Sequence, residues 1–185
     1  MAPKASGDRK RELEEIARVC QRVPANPART FYEAVQASWF VFLVANIETG
    51  GDSISFGRLD QILYPYYKAD IEKGQTTRDK VQELLEQFLF RVNGDTVSYQ
   101  VYAVTIGGQT EYGRDATNEM TYMLLDALEQ VRLPEPQFGM RVHKGTPKEL
   151  LMRAIDVMRV SGGRPQLNND DAVIPALLRR GVPIK

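Results

Sequence analysis

Apolar residues in the first half of the chain recur every three to four positions, the spacing of α-helices with one buried face. Pro24 and Pro27 form a rigid break after the first such stretch. Thr30 and Glu33 have the spacing of a capping box, which marks the start of the second. The second stretch is apolar nearly all round, so we expect it to be buried on most sides. The pattern predicts four helices, over residues 9–22, 30–47, 59–74 and 77–91.

The pattern changes in the second half, where alternating and β-branched residues predict strands between further helices. We expect a second capping box at Thr146 and Glu149, and a helix end at Gly181. Strands that alternate with helices predict right-handed crossovers and a parallel sheet, which needs cover on both faces. The fold class is therefore α/β, with N-terminal helices leading into a parallel βαβαβ unit. The strands cover residues 96–106, 137–142 and 165–168, and the helices residues 116–130, 146–162 and 171–180.

Charge and composition exclude several classes of protein. Lys plus Arg and Asp plus Glu each number 24, so no basic excess indicates a nucleic-acid partner. No apolar run reaches the roughly 20 residues of a membrane span. Residues 1–8, which we expect to be disordered, lack the apolar core of a signal peptide. The single cysteine, Cys20, excludes an internal disulfide, and we expect a cytoplasmic protein.

Four segments of the chain resemble the pyruvate formate-lyase-like glycyl radical enzymes. They follow one another in the order expected for that family, and the resemblance extends over nearly the whole chain. Residues 9–185 are therefore similar to an internal part of the pyruvate formate-lyase domain of a longer enzyme. The segments are PANPARTFYEAVQ at residues 24–36, SISFGRLDQILYPYY at 53–67, VTIGGQTEYGRDATNE at 104–119 and GGRPQLNND at 162–170.

This resemblance implies a ten-stranded α/β barrel made of two five-stranded halves, of which the chain would hold part of the first. It also implies a lyase or dehydratase of anaerobic metabolism that cleaves a carbon–carbon, carbon–oxygen or carbon–nitrogen bond of a small polar substrate. In the family, a glycyl radical installed by a radical S-adenosylmethionine activase forms a thiyl radical on a loop cysteine. Neither that cysteine nor the radical glycine is matched here, so we expect the chain alone to be inactive, with no bound cofactor.

Three residues are candidates for substrate contact if the resemblance holds. Ser53 matches a serine that contacts substrate in dehydratase-like members, and Asp52 stands where those members often have a histidine. A carboxylate accepts hydrogen bonds without donating them, which argues against copying a dehydratase assignment. Tyr102, with Tyr99 as the second choice, matches an aromatic residue that packs on the substrate. The alternative for Asp52 and Ser53 is a simple turn. The alternative for the tyrosine is packing in the core.

Five residues of the matched motifs are better explained as structural anchors. Arg58 and Asp60 would hold the segment that follows them. Gly107, Gly108 and Gln109 would form a tight turn from strand to helix. Phosphate binding by the glycine amides is the weaker alternative, since no Walker lysine follows. The five residues are Arg58, Asp60, Gly107, Gly108 and Gln109.

The remaining polar residues give weaker indications of chemistry. His143 and Cys20, one histidine and one distant cysteine, do not make a zinc site of the usual kind, so we predict no metal. Cys20 shares a helix face with apolar residues, and we expect a packed thiol. Residues 168–170 follow a strand end, where barrels place functional groups. Capping of the last helix explains Asp170 equally well.

Two functions stay open on the sequence. The first is a segment of a glycyl radical enzyme, whose partners would be the activase and a small-molecule substrate. The alternative is a non-catalytic scaffold or complementing subunit that pairs with another partial chain. In either case the third strand would lack a neighbour, leaving Leu167 and Ile174 uncovered. Because exposed strand edges and apolar patches promote association, we expect the chain to self-associate.

Overall fold

The computed structural model describes residues 6–50, 53–94 and 101–183. Two helices come first, and each strand is then followed by one helix or, after the first strand, by two. The helices are α1 Gly7–Arg22, α2 Phe31–Thr49, α3 Leu59–Glu72, α4 Arg78–Gly94, α5 Glu119–Val131, α6 Lys148–Val160 and α7 Asp170–Arg179. The strands are β1 Ser55–Arg58, β2 Ala103–Gly107, β3 Gln137–Val142 and β4 Gln166–Asn169.

The strands form one parallel sheet in the order β1-β2-β3-β4, which confirms the predicted α/β class. The prediction of three strands was wrong, because β1 lies where we expected a loop. This strand is only four residues long, contains Gly57 at a φ of 67°, and shifts register against β2. Its sequence therefore has no alternation to detect. Part of the predicted strand over residues 96–106 lies outside the described residues.

One face of the sheet packs against the helices and forms the core. Val104 and Ile106 of β2 and Phe138 and Met140 of β3 are all buried in it. Burial of each such side chain contributes roughly 1.5–3 kcal/mol before the entropy of ordering is subtracted. The helical side of this core is made by residues that include Leu63, Leu85, Leu89, Met120, Leu124 and Leu128.

Helix α2 is less buried than its sequence predicts. Its inner face holds Phe31 and Phe42, but Val41, Val44 and Ile47 are 55–73% exposed on the other side. An all-round apolar helix is normally covered all round, so this face lacks cover within the described residues. None of the described helices is long and apolar enough to cross a bilayer.

The two predicted capping boxes behave differently. The Thr30 side chain accepts the N–H of Glu33 at 3.2 Å, while the Glu33 carboxylate accepts the N–H of Arg29 at 2.8 Å. The prediction at Thr146 was wrong, because helix α6 has no side-chain cap. The Thr146 hydroxyl instead accepts the N–H of His143 at 2.9 Å, which closes the turn after β3.

A buried arginine fixes the entry into β4. The Arg164 guanidinium donates to the carbonyl of Ser161 at 2.7 Å, and to those of Leu133 and Pro134, the latter at 2.6 Å. Burial lowers the pKa of Arg164, yet an arginine stays charged at neutral pH. This one side chain therefore joins the end of α6 to the segment before β3.

We expect Arg164→Met to destabilise the chain by about 3 kcal/mol, because it leaves buried carbonyl groups without donors. Arg153→Met is the matched control. Arg153 joins Asp126 and Glu129 on the helical surface with 27% of its side chain exposed, and such pairs contribute about 1 kcal/mol or less. Urea unfolding of both variants measures the difference. Equal losses would show that Arg164 is no more important than a surface arginine.

Candidate functional site

The second face of the sheet is open and polar. The register aligns Ser55, Ala103 and Gln137 in one row across β1, β2 and β3. Two further rows lie on the same face. One contains Thr105, Gly139 and Gln166, which are half-buried or exposed, and the other contains the buried Gly107 with the more exposed Arg141 and Asn168. Parallel sheets are normally apolar on both faces. This face, with its hydroxyl, amide and small side chains and with Arg141, therefore departs from the apolar pattern that a second apolar layer would require.

Ser53 lies at the amino-terminal edge of the sheet, two residues before β1, and it is exposed. The adjacent Ile54 carbonyl accepts the N–H of Ala103 at 3.0 Å, so this edge is tied to β2. Asp52 and Tyr99 lie outside the described residues. The structure thus leaves the Ser53 hydroxyl accessible to a ligand.

Tyr102 lies at the same edge but points the other way. It is fully buried, its ring meets that of Phe42 edge-on at 4.7 Å, and its hydroxyl donates to Asn46 at 3.1 Å. The Tyr102 N–H donates to the Glu135 carboxylate at 3.1 Å. This placement fits the alternative of core packing. The structure therefore does not bring Ser53 and the Tyr102 ring together on the open face.

At the opposite edge, Asp60 holds the turn that follows β2. It is the second residue of α3 and fully buried. Its Oδ2 accepts the N–H of Gly107 at 2.8 Å and the hydroxyl of Thr121 at 2.7 Å, while Oδ1 has no partner among the described residues. Burial raises the pKa of Asp60, although these hydrogen bonds oppose the rise.

Arg58 holds the same turn from the end of β1. Its guanidinium donates to the carbonyl of Gly107 at 2.6 Å and to that of Gln109 at 2.8 Å. Burial and the nearby charge of Arg141 lower the pKa of Arg58, which stays charged at neutral pH. The expected anchoring role of Arg58 and Asp60 agrees with these contacts, but what they anchor directly is the turn after β2.

The third support of the turn is an ion pair between β3 and the start of α7. Arg141 donates to Asp170 through two nitrogens, at 2.8 and 2.9 Å, and Asp170 accepts the N–H of Gln109 at 3.2 Å. Asp170 does not cap α7. The capping side chain is Asn169, which accepts the N–H of Asp171 at 3.0 Å.

These contacts argue against phosphate binding by the glycine turn. The amides of Gly107 and Gln109 already donate to Asp60 and Asp170, and an anion would have to displace a carboxylate at each. Gly108 is held as closely, because its carbonyl accepts the N–H of Ala116 at 2.9 Å. These contacts are those of a tight connection between β2 and the segment that follows it.

His143 and Cys20 do not form a reactive centre. The His143 ring is 4% exposed, accepts the N–H of Gly145 at Nδ1 and lies 3.1 Å from Asp115 at Nε2. Cys20 is exposed on α1, so the predicted packed thiol was wrong. The apolar face of α1 is narrow, and Val19 alone is fully buried. Within the described part of the chain, no cluster of side chains suits a metal ion.

The sequence did not point to Arg141 as a member of the site. A signal was present, because Gln137, Gly139 and Arg141 are the non-apolar half of an alternating strand. That pattern indicates a polar face, but it does not name Asp170, 29 residues later, as the partner.

The sequence profile of the pyruvate formate lyase-like family matches residues 1–185. The chain belongs to this family. It is 40% identical to the isethionate sulfite-lyase of Nitratidesulfovibrio vulgaris over 94% of its own length and 23% of that protein's. The chain thus spans about a quarter of the length of the curated relatives it matches.

Solved structures agree with the family assignment. A structure concerned with 1,2-propanediol dehydration in Roseburia inulinivorans matches with a TM-score of 0.93 and 41% identity, over 100% of this chain and 25% of that one. The glycerol-bound, B12-independent glycerol dehydratase of Clostridium butyricum matches with a TM-score of 0.88 and 39% identity, over 99% and 25%. This pyruvate formate lyase-like chain therefore shares the fold of part of the glycyl radical enzymes, as the resemblance implied.

We expect Gly108→Ala to destabilise the chain more than Gly163→Ala does. Both glycines have a positive φ, 86° and 82°, which costs an alanine about 1–2 kcal/mol. Only at Gly108 would the new Cβ also lie 2.8 Å from the Arg141 Cβ and 3.0 Å from an Asp170 oxygen; nothing lies within 4 Å at Gly163. Overpacking of this kind adds about 1–3 kcal/mol. Thermal unfolding that ranks the two variants equally would contradict the close fit of the turn.

Asp60 and Glu33 should give the free energy of unfolding opposite pH dependences. Burial opposes ionisation of Glu33, but hydrogen bonds from Arg29 and the charges of Arg29 and Arg22 lower its pKa. A raised pKa means that the Asp60 contribution is largest below its unfolded value of about 4 and is lost as pH rises through the folded value. A lowered pKa means that the Glu33 contribution is present above about pH 4 and is lost on acidification.

Urea unfolding between about pH 3.5 and 7 tests both signs. The stability difference between the wild type and Asp60→Asn should shrink as pH rises. The difference between the wild type and Glu33→Gln should grow over the same range. Differences that change in the same direction for the two variants would show that one of the two assignments is wrong.

Proposed function

We propose that this chain forms part of the substrate-enclosing wall of a glycyl radical lyase or dehydratase that acts on a small polar substrate. The observation that carries the proposal is the two-sided sheet, with one face buried under helices and the other lined by hydroxyl, amide and small side chains. The similarity to an isethionate sulfite-lyase and to a glycerol dehydratase supports the same reaction class.

In such an enzyme, a glycyl radical installed by a radical S-adenosylmethionine activase would supply the hydrogen-abstraction chemistry. The residues of this chain would bind and orient the substrate. Ser53 is exposed and next to β1, so its hydroxyl would donate a hydrogen bond to the substrate or accept one. Asp52, directly before it, would accept from a substrate hydroxyl or ammonium group. A cytoplasmic location, compatible with the single cysteine, belongs to the same proposal.

Tyr102 would act on this site indirectly, without contacting the substrate. Its ring supports α2 through Phe42 and Asn46, and its backbone N–H is fixed by Glu135. These contacts hold the amino-terminal end of β2 beside Ser53. We therefore propose that Tyr102 positions the edge on which the substrate-contacting residues lie.

A chimera tests the proposed role of Ser53. Residues 6–183 would replace the matching quarter of the Clostridium butyricum glycerol dehydratase, and the activated chimera would be assayed for turnover and radical content. We expect Ser53→Ala to lower kcat/KM at least about tenfold while leaving the radical yield unchanged. Ser38→Ala, whose hydroxyl donates to the Ala34 carbonyl within α2, is the control and should have no effect. Unchanged turnover in Ser53→Ala would remove the residue from the site.

The isolated chain should show no radical chemistry. Its one cysteine, Cys20, is exposed on α1, and α1 packs on α2 rather than on the sheet. After treatment with a radical S-adenosylmethionine activase, we expect electron paramagnetic resonance to detect no glycyl radical doublet. A doublet, or turnover without another chain, would contradict this expectation. Recovery of activity only on mixing with a second partial chain would favour the complementing-subunit alternative.

A further inference from the structure

The row at the amino-terminal edge of the open face has one small side chain between two polar ones. Ala103 of β2 is half-buried and lies between Ser55 of β1 and Gln137 of β3 in the register. Ser53 lies two residues before Ser55. Neighbouring strands are about 4.8 Å apart, so about 10 Å separates the backbones of β1 and β3 across Ala103. The alanine therefore leaves a space between a hydroxyl and an amide, which we call the Ala103 gap.

The Gln137 amide is held in one orientation beside this gap. Its Nε2 donates to the Pro134 carbonyl at 2.8 Å and to Oε1 of Glu135 at 3.2 Å. Glu135 is itself fixed, because its Oε2 accepts the N–H of Tyr102 at 3.1 Å. A flipped amide would place the Gln137 oxygen against two acceptors, so the network defines which amide atom is the nitrogen.

This network determines what Gln137 offers to a ligand. Both hydrogens of Nε2 have acceptors, whereas no described residue donates to Oε1. The group that is left is a carbonyl oxygen, which accepts hydrogen bonds and cannot donate them.

Ser55 faces the gap from the other side and is less constrained. Its Oγ accepts the N–H of Gly57 at 3.1 Å. Its own hydrogen has only a long contact, with 3.5 Å between Oγ and the Ala103 carbonyl oxygen. Because such a contact is weak, the Ser55 hydroxyl can turn toward a ligand.

This arrangement favours a ligand group that carries a hydrogen on oxygen or nitrogen. A hydroxyl or ammonium group donates to Oε1 of Gln137. A sulfonate or carboxylate group would instead place oxygen against oxygen, with the Glu135 carboxylate beside it. An acceptor without a donor and a repulsion between like charges both make that pairing unfavourable.

We propose that Gln137 determines which group the substrate carries at the end farthest from Ser53, by accepting a hydrogen bond from a hydroxyl or ammonium group in the Ala103 gap. The inference rests on the proposed function, since it places the substrate on the open face. Ser53 on the β1 side and Gln137 on the β3 side then hold the two ends of a three-carbon molecule. An anionic group is not accepted at the Gln137 end.

Substrate discrimination by the glycerol dehydratase chimera tests the role of Gln137. Glycerol and 1,2-propanediol differ by one terminal hydroxyl. We expect Gln137→Met to lower kcat/KM for glycerol at least about tenfold and that for 1,2-propanediol by less than about twofold, because only glycerol offers a third hydroxyl to Oε1. A purely structural role would lower both values alike and leave their ratio unchanged. Gln87→Met is the matched control and should alter neither value, because Gln87 is exposed on α4 and donates to Glu83.

Titration of the isolated chain with glycerol, followed by nuclear magnetic resonance, does not depend on radical chemistry. We expect the backbone amides of Ala103 and Gln137 and the Gln137 side-chain amide to shift. Glycerol at about 0.5 M is sufficient, since a ligand of six non-hydrogen atoms binds with a dissociation constant on the order of 50 mM. Ala103→Leu fills the gap and should abolish these shifts. Propane-1-sulfonate, an anion that donates no hydrogen bond, should cause none.

Three results would overturn the inference. They are an unchanged ratio of the two kcat/KM values in Gln137→Met, equal shifts with glycerol and propane-1-sulfonate, and no shift with glycerol. If Ser53→Ala lowers turnover and Gln137→Met leaves the ratio unchanged, only this inference fails. If Ser53→Ala also has no effect, the proposed function fails with it. If the chimera is inactive, the titration alone decides.

Discussion

The turn after β2 is held by charged side chains from three other elements. We call these side chains, Arg58, Asp60 and Asp170, the clamp, and the arrangement of the sheet depends on it. Asp60 and Arg58 bind Gly107 from α3 and β1, and Asp170 binds Gln109 from the start of α7. Arg58 and Asp60 lie 49 and 47 residues before Gly107, and Asp170 lies 61 residues after Gln109, so these contacts form only when distant parts of the chain are in place. Hydrogen bonds to charged groups are stronger than neutral ones, and strongest where water is excluded.

The clamp explains why the open face can be polar without being charged. The Arg58 guanidinium donates to two carbonyl groups, and the Arg141 guanidinium is paired with Asp170. The groups left for a ligand are hydroxyls, amides and small side chains, with Ser53 at the far edge. The similarity to a glycerol dehydratase and to an isethionate sulfite-lyase supports our proposal that this surface lies beside a small polar substrate.

Most of the fold could be predicted from the sequence, because helices and the parallel sheet follow from local periodicity. β1 was missed because a four-residue strand with Gly57 inside it has no period to detect. The site was predicted only in part. Arg58, Asp60 and the glycine turn were found through family motifs, but the Arg141–Asp170 pair joins residues that no local pattern connects. The prediction that Cys20 is a packed thiol was wrong, because a position on the apolar face of a helix does not guarantee that another element packs over it.

Amide hydrogen exchange under native conditions tests the clamp most directly. If side-chain charges hold the turn as part of the sheet, the amides of Gly107 and Gln109 should exchange as slowly as that of Ile106, through global unfolding. Gly113, whose N–H bonds to the Thr110 carbonyl in an exposed turn, gives the fast reference. Exchange of Gly107 and Gln109 at the rate of Gly113, while Ile106 stays protected, would contradict the account.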